Sequence, residues 1–276
     1  MSKHNWVVAI VRGMSKIFFI VVWYMIFTNT PVLAQSFASR TNQLPRERIC
    51  INENWKFYKY RSIDQADSLI YDVRPVVSDA RDDKPADSKP TEAVAFTANR
   101  TVLKPWILPT GNMFIRDPEK QYIRPRGNPG SDFPFVQYDF DDRDWETVNL
   151  PHDWAIKGPF YSAPNAEIGG GMGRLPVQGV AWYRKKLDIP LTDAGKSIFL
   201  GIDGAMSYAM VWLNGQLVGG WPYGYASWSV DLTPFIKVGG KNQLAIRLDN
   251  PPNSSRWYPG AGIYRNVWLT KVKPVH

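Results

Sequence analysis

The sequence predicts an all-β fold of two stacked antiparallel layers, a sandwich or a barrel. Three observations carry this. Short runs that alternate apolar and polar residues recur every 8–12 residues or so, divided by Gly, Pro and Asn turn signals. The composition favours strands and turns, with 12 Trp, 13 Tyr, 13 Phe, 22 Pro and 21 Gly in 276 residues. Beyond the N-terminal apolar run, no window sustains the 3.6-residue repeat of an amphipathic helix.

Taken in order, residues 1–34 read as a signal peptide. Lys3, Arg12 and Lys16 form a basic start, 17–27 is an uninterrupted apolar run, and Val32-Leu33-Ala34 sets small-residue spacing for cleavage before Gln35. The run is shorter than the roughly 20 residues a bilayer span needs; an uncleaved anchor is the alternative. The expected localisation is therefore exported, periplasmic or secreted, with membrane contact only through this leader. Residues 35–45 are a polar linker, and 46–276 follow as one domain with a long irregular insert at about 61–130.

Within that domain, 49–60 reads as strand, turn, strand, with bulk from Trp55, Phe57 and Tyr58. Residues 61–100, dominated by Asp, Lys, Pro and Ser, are expected to form a surface excursion, and 104–129 to lie flat on the surface. Residues 133–140 resume strand character, and Asp141, Asp142 and Asp144 mark a solvated turn. The Gly-rich loop 168–179 lacks the Lys-Ser/Thr and following helix of a phosphate loop. In 179–189, Ala181, Tyr183, Leu187 and Ile189 share one face, and Trp182, Arg184, Lys186 and Asp188 the other. Strands follow at 197–202 and 208–213, where Asn214-Gly215 predicts a tight hairpin turn into 216–218. Residues 228–232 and 243–248 alternate, the latter with Leu244, Ile246 and Leu248 inward.

Charge and rare residues exclude several functions. The net charge of +8 includes Lys3, Arg12 and Lys16 of the leader, and no basic run accompanies the rest, so nucleic acid is not an expected partner. Cys50 is the only cysteine, which excludes an internal disulfide and a cysteine metal site. Its place in Arg48-Ile49-Cys50-Ile51 suggests a small buried side chain. His4 lies in the leader and His276 is the last residue, and His152 has no nucleophile pattern beside it. No cofactor or metal is called for.

The richest stretch closes the chain. Residues 253–269, NSSRWYPGAGIYRNVWL, place Arg256, Trp257 and Tyr258 before Pro259, Gly260 and Gly262. Proline presets φ and glycine permits positive φ, so the chain can turn sharply and hold its rings in set directions. Flat aromatic faces suit sugar C–H groups, and a guanidinium suits hydroxyls or acids. This block, with FDDRDWETVNLPHDWAI at 140–156, GVAWYRKKLDIP at 179–190 and KPWILPTGNMFIRDP at 104–118, resembles the N-terminal sugar-binding domain of glycoside hydrolase family 2, most like bacterial β-galactosidases. The likeness covers about residue 46 onward.

The resemblance implies a galactose-binding-like jelly-roll sandwich that binds a β-galactoside or related glycoside. It implies substrate-binding roles for Asp153, Arg256, Trp257 and Tyr258, and no catalytic residue in this chain. Family members place an acidic residue where Arg256 stands, so Arg256 either meets an acidic or sulfated sugar or pairs with Asp153. His152-Asp153-Trp154, bracketed by Pro151, is either a satisfied structural knot or faces the sugar. The family's paired carboxylates lie on a (β/α)₈ barrel that follows an immunoglobulin-like domain; both are missing partners here. Asn52-Glu53 matches the family's acid/base dipeptide only by chance, since it falls in the opening hairpin. The chain alone is thus expected to be an inactive fragment of a glycosidase. A free-standing carbohydrate-binding module or a structural surface domain is the alternative.

Overall fold

The computed structural model describes residues 45–72, 100–107, 114–157, 179–250 and 260–274. Among these, the alternating runs become strands of two antiparallel sheets. One orders β1 (Arg46–Cys50), β12 (Val267–Val272), β7 (Ser197–Ile202) and β10 (Trp228–Asp231). The other orders β5 (Glu146–Val148), β2 (Trp55–Lys59), β6 (Gly179–Ile189), β11 (Gly240–Asn250), β8 (Ala209–Leu213) and β9 (Gln216–Trp221). A short parallel pair, β3 (Leu69–Ile70) and β4 (Thr101–Val102), stands apart.

The inner faces build one core. Ala181, Tyr183, Leu187 and Ile189 of β6 join Leu244, Ile246 and Leu248 of β11, facing Ile198, Leu200 and Ile202 of β7. This is the inward set that period-two alternation predicts. The β8–β9 hairpin turns at Asn214 (φ 52°) and Gly215 (φ 78°), the left-handed pair a two-residue turn requires. Asn214 also receives Gln243 N–H on its Oδ1 and donates to Phe235 O and Asn242 Oδ1, so this turn is pinned to β11.

The six-stranded sheet is buried on its other face too. Trp182 and Trp212, both fully buried, pack beneath Leu69, Tyr71, Leu103, Ile107 and Val136. Ile107 ends the single turn α1 (Lys104–Ile107). Withdrawing two indoles from water is worth on the order of 10 kcal/mol, which holds irregular chain in place without a ladder of hydrogen bonds.

Four sequence expectations change here. The segment expected as a surface excursion buries Leu69, Ile70 and Tyr71 where it is described, because the outward indoles of β6 and β8 need cover. Residues 133–140 form a 3-10 turn at Pro134–Val136 rather than a strand. Pro134 sits at the start of that turn, and the backbone carbonyls of Phe135 and Gln137 serve the buried Arg184 guanidinium instead of a ladder. Asp142 is not simply solvated: it accepts Arg184 Nε at 2.8 Å. Cys50 is exposed, since Ile49 takes the inward side of β1 and the next residue must face out.

Candidate functional site

The chain leaves β5 through Leu150 and a cis Leu150–Pro151 bond, and His152 N–H then donates to Ile263 O at 2.8 Å. That bond sets 152–155 beside 260–263. His152 is buried; its Nδ1 lies 2.8 Å from the Tyr183 hydroxyl, and its ring meets Phe57 edge-on at 4.5 Å. Burial, then the nearby Lys157, pulls the His152 pKa below its ordinary 6.5. Burial also pushes the Tyr183 phenol well up, so both groups are neutral near pH 7. His152 Nε2 is buried with no partner among the described residues.

Asp153 is tied to backbone. Its Oδ1 accepts Ala155 N–H at 2.8 Å and Ala261 N–H at 3.0 Å. A Cβ at Gly260 would sit 2.8 Å from Oδ2, so a larger residue would have to displace the Asp153 carboxylate. Gly262 is more constrained: φ is +100°, and a Cβ would fall 2.4 Å from His152 O and 2.6 Å from the Tyr183 hydroxyl. Gly262 and Met206 exchange backbone hydrogen bonds at 2.9 and 3.1 Å. Asn250, the last residue of β11, donates to Gly260 O at 3.2 Å. Ser207 donates to Asp249 O and accepts Asp249 N–H through its own carbonyl.

These contacts fix both feet of the segment 251–259. Arg256, Trp257 and Tyr258 belong to that segment and lie outside the described residues, as do the loop 168–178 and the leader. Of the four predicted sugar-facing residues, the structure therefore places only Asp153, as the clamp between the 152–155 turn and the closing segment. Asn52 answers its own question: it bonds Asn266 Oδ1 and Val267 N–H, a structural knot at the start of β12.

Sequence reading missed part of this edge. The loop after β9 exposes Tyr223 and Tyr225, whose rings meet edge-on at 5.5 Å. Gly224 rests on the Met206 side chain and accepts the Tyr264 hydroxyl at 2.7 Å. Burial raises the Tyr264 pKa, with Arg265, Tyr225, Tyr223 and Asp153 all close enough to act on it. The run Trp221-Pro222-Tyr223-Gly224-Tyr225 was the available signal, since rings interleaved with Pro and Gly mark a turn that cannot bury them all.

Hydrolysis needs a carboxyl pair, one of which holds a proton. The most buried described carboxylates are in ion pairs: Asp67 with Arg247, and Asp193 with Lys196 and Lys271. Among the described residues, Asp141 and Asp193 have pKa values that move down. Arg143 takes exposed Asp141 to about 2, and in Asp193 bonds from the two lysines outweigh the upward push of burial. Among the described residues no His, Cys, Asp and Glu cluster could hold a metal ion.

Three comparisons bear on the edge. The family profile described as "Glycosyl hydrolase 2 galactose-binding domain-like" matches residues 171–258, the stretch from the Gly-rich loop to Tyr258. A β-galactosidase of Bacteroides ovatus is 48% identical over 149 residues, 53% of this chain and 17% of that enzyme. A putative β-glucuronidase of Formosa agariphila is 37% identical over 143 residues, 51% of this chain and 13% of that protein. A β-glycosidase from Bacteroides vulgatus aligns in structure with a TM-score of 0.50 and 25% identity, over 83% of this chain and 20% of its own. The chain thus spans a fifth or less of the length of each of these three relatives.

Proposed function

We infer, from a chain that carries the galactose-binding-like domain of glycosyl hydrolase family 2, that it is the N-terminal sugar-binding domain of an exported glycosidase. In this reading the sandwich is a jelly roll that lends one wall to a pocket whose chemistry sits on a further (β/α)₈ barrel, beyond an immunoglobulin-like domain. The substrate class is a β-galactoside or related glycoside. The β-galactosidase and β-glucuronidase names of the two sequence relatives support that class without choosing within it.

One observation carries the reading. Asp153 Oδ1, bonded to Ala155 and Ala261, and Asn250, bonded to Gly260, clamp the base of the segment holding Arg256, Trp257 and Tyr258. A clamped base allows side chains at a tip to be presented with little loss of conformational entropy on binding. Asp153 Oδ2 takes no hydrogen bond from the described residues and supplies an acceptor at the same place.

The test compares the 276-residue chain with the full-length enzyme on aryl β-galactosides and β-glucuronides. The chain alone should give no turnover above buffer. In the full-length enzyme, Trp257→Ala and Asp153→Asn should each lower kcat/KM by at least about tenfold. Asp153→Asn keeps an Oδ1 acceptor for both amides, so the fold should survive it. Hydrolysis by the isolated chain, or wild-type kcat/KM in both variants, would defeat the proposal. Tight binding of a neutral β-galactoside by the chain alone would favour a self-sufficient binding module.

A further inference from the structure

The outer face of the four-stranded sheet carries a second feature. A groove of about 660 Å³ runs across β1, β12, β7 and β10, on the side away from the core. The register explains it. One row across the sheet reads Cys50, Trp268, Gly201, Ser229, and the next reads Arg48, Thr270, Phe199, Asp231. Gly201 leaves a gap between the Trp268 ring and Ser229; a Cβ there would meet only Trp268, at 3.8 Å and beyond. Gly201 therefore makes the floor, and no strained backbone accounts for it.

The lining is net basic. The Arg48 guanidinium lies 4.0 Å over the centre of the Trp268 ring, while its side chain keeps 48% exposure. Asp203 steers it from 3.7 Å, and the same carboxylate accepts Trp268 Nε1–H at 2.8 Å. A guanidinium held over an indole has lost part of its rotamer freedom in advance and still offers N–H groups to solvent. Arg46 stands two positions along the same face, roughly 7 Å away at strand spacing. Asp203 is the only acid lining the groove among the described residues, against two arginines. The Asp231 carboxylate, at the far edge, is turned to the backbone of Thr233.

We propose that this groove binds an acidic carbohydrate, a pyranose chain carrying carboxylate or sulfate groups at a spacing Arg48 and Arg46 can both meet. The sugar ring fills the gap over Gly201 against Phe199 and Trp268, and Ser227 and Ser229 serve hydroxyls. The charge sign selects an acidic over a neutral glycan. None of Asp153, Arg256, Trp257 and Tyr258 is among the residues lining this groove, and the proposal does not call on Trp257.

Calorimetry on the full chain tests it with trigalacturonate, a sulfated galactobiose and neutral galactotriose. At least one acidic probe should bind and weaken as salt rises, and which one binds identifies carboxylate or sulfate as the recognised group. Arg48→Ala should weaken it by at least about tenfold. Gly201→Val should abolish it with the melting temperature unchanged or raised, since a β-branched side chain suits a strand and points away from the core. Trp257→Ala should leave it intact, which separates this site from the one proposed above. Equal affinity for the neutral probe, wild-type binding by Gly201→Val, or no saturable binding would overturn it. So would protection of Trp268 from hydroxyl-radical oxidation in the glycan-free full-length enzyme, where a neighbouring domain would be covering the sheet.

Discussion

At the scale of single residues, the edge is defined by groups that have no substitute. Gly262 combines φ of +100° with a backbone carbonyl 2.4 Å from where a Cβ would stand. Gly262→Ala should cost on the order of 3 kcal/mol, measured by urea unfolding, because neither the backbone nor His152 O can yield cheaply. His152 gives a pH signature. Its folded pKa lies below 6.5 through burial, so the unfolded chain takes up a proton first as pH falls. The stability this contributes is complete above about pH 6.5 and is lost as pH drops through the lower folded value. Melting temperatures from pH 7.5 to about pH 5 should fall more steeply for wild type than for His152→Gln; parallel curves would show the imidazole is not the sensor. The sequence reading saw 152–154 as a held cluster but could not name its partners. It misplaced Cys50 because Ile49, Cys50 and Ile51 are all apolar, and without polar alternation the parity of β1 is undetermined.

At the scale of elements, β6 and β11 are buried on both faces, and their outward side needs a lid. The lid is held by a polar pin. Asp67, in the turn before β3, accepts Arg247 Nε at 2.9 Å and Trp182 Nε1 at 3.0 Å, with Arg247 fully buried. Asp67→Ala should destabilise by about 3 kcal/mol, because it leaves the buried guanidinium with only the more distant Asp249, at 3.7 Å. Adding Arg247→Met should recover most of that loss in denaturant melts. If the double variant is no better than the single one, the pin is not an ion pair in energetic terms. The strands at 179–189, 197–202 and 243–248 were legible because apolar residues recur at alternate positions along most of their length. The lid was not, since 61–72 and 133–140 have no period and owe their placement to Trp182 and Trp212.

At the scale of the whole molecule, β1 and β12, the first and last described strands, pair side by side at one edge of the four-stranded sheet. The domain's two ends thus meet in one sheet. Export, as read from residues 1–34, predicts a mature protein beginning at Gln35. N-terminal sequencing of secreted material checks this, and a start at Met1 in the membrane fraction would mean an anchor instead.

The amino-acid order by itself determined the face-sharing sets of 179–189 and 243–248, the Asn214-Gly215 turn, and the family blocks that point to a sugar-binding domain. Each is a local pattern, and local patterns are written by steric preference over two to four residues. Only the tertiary structure decided that Asp67 meets Arg247 across 180 positions, that Asp153 clamps Ala261, and that Gly201 opens a groove beside Trp268. Those contacts join residues far apart in sequence, and a polar pair or a missing side chain leaves no local trace of the partner it will find.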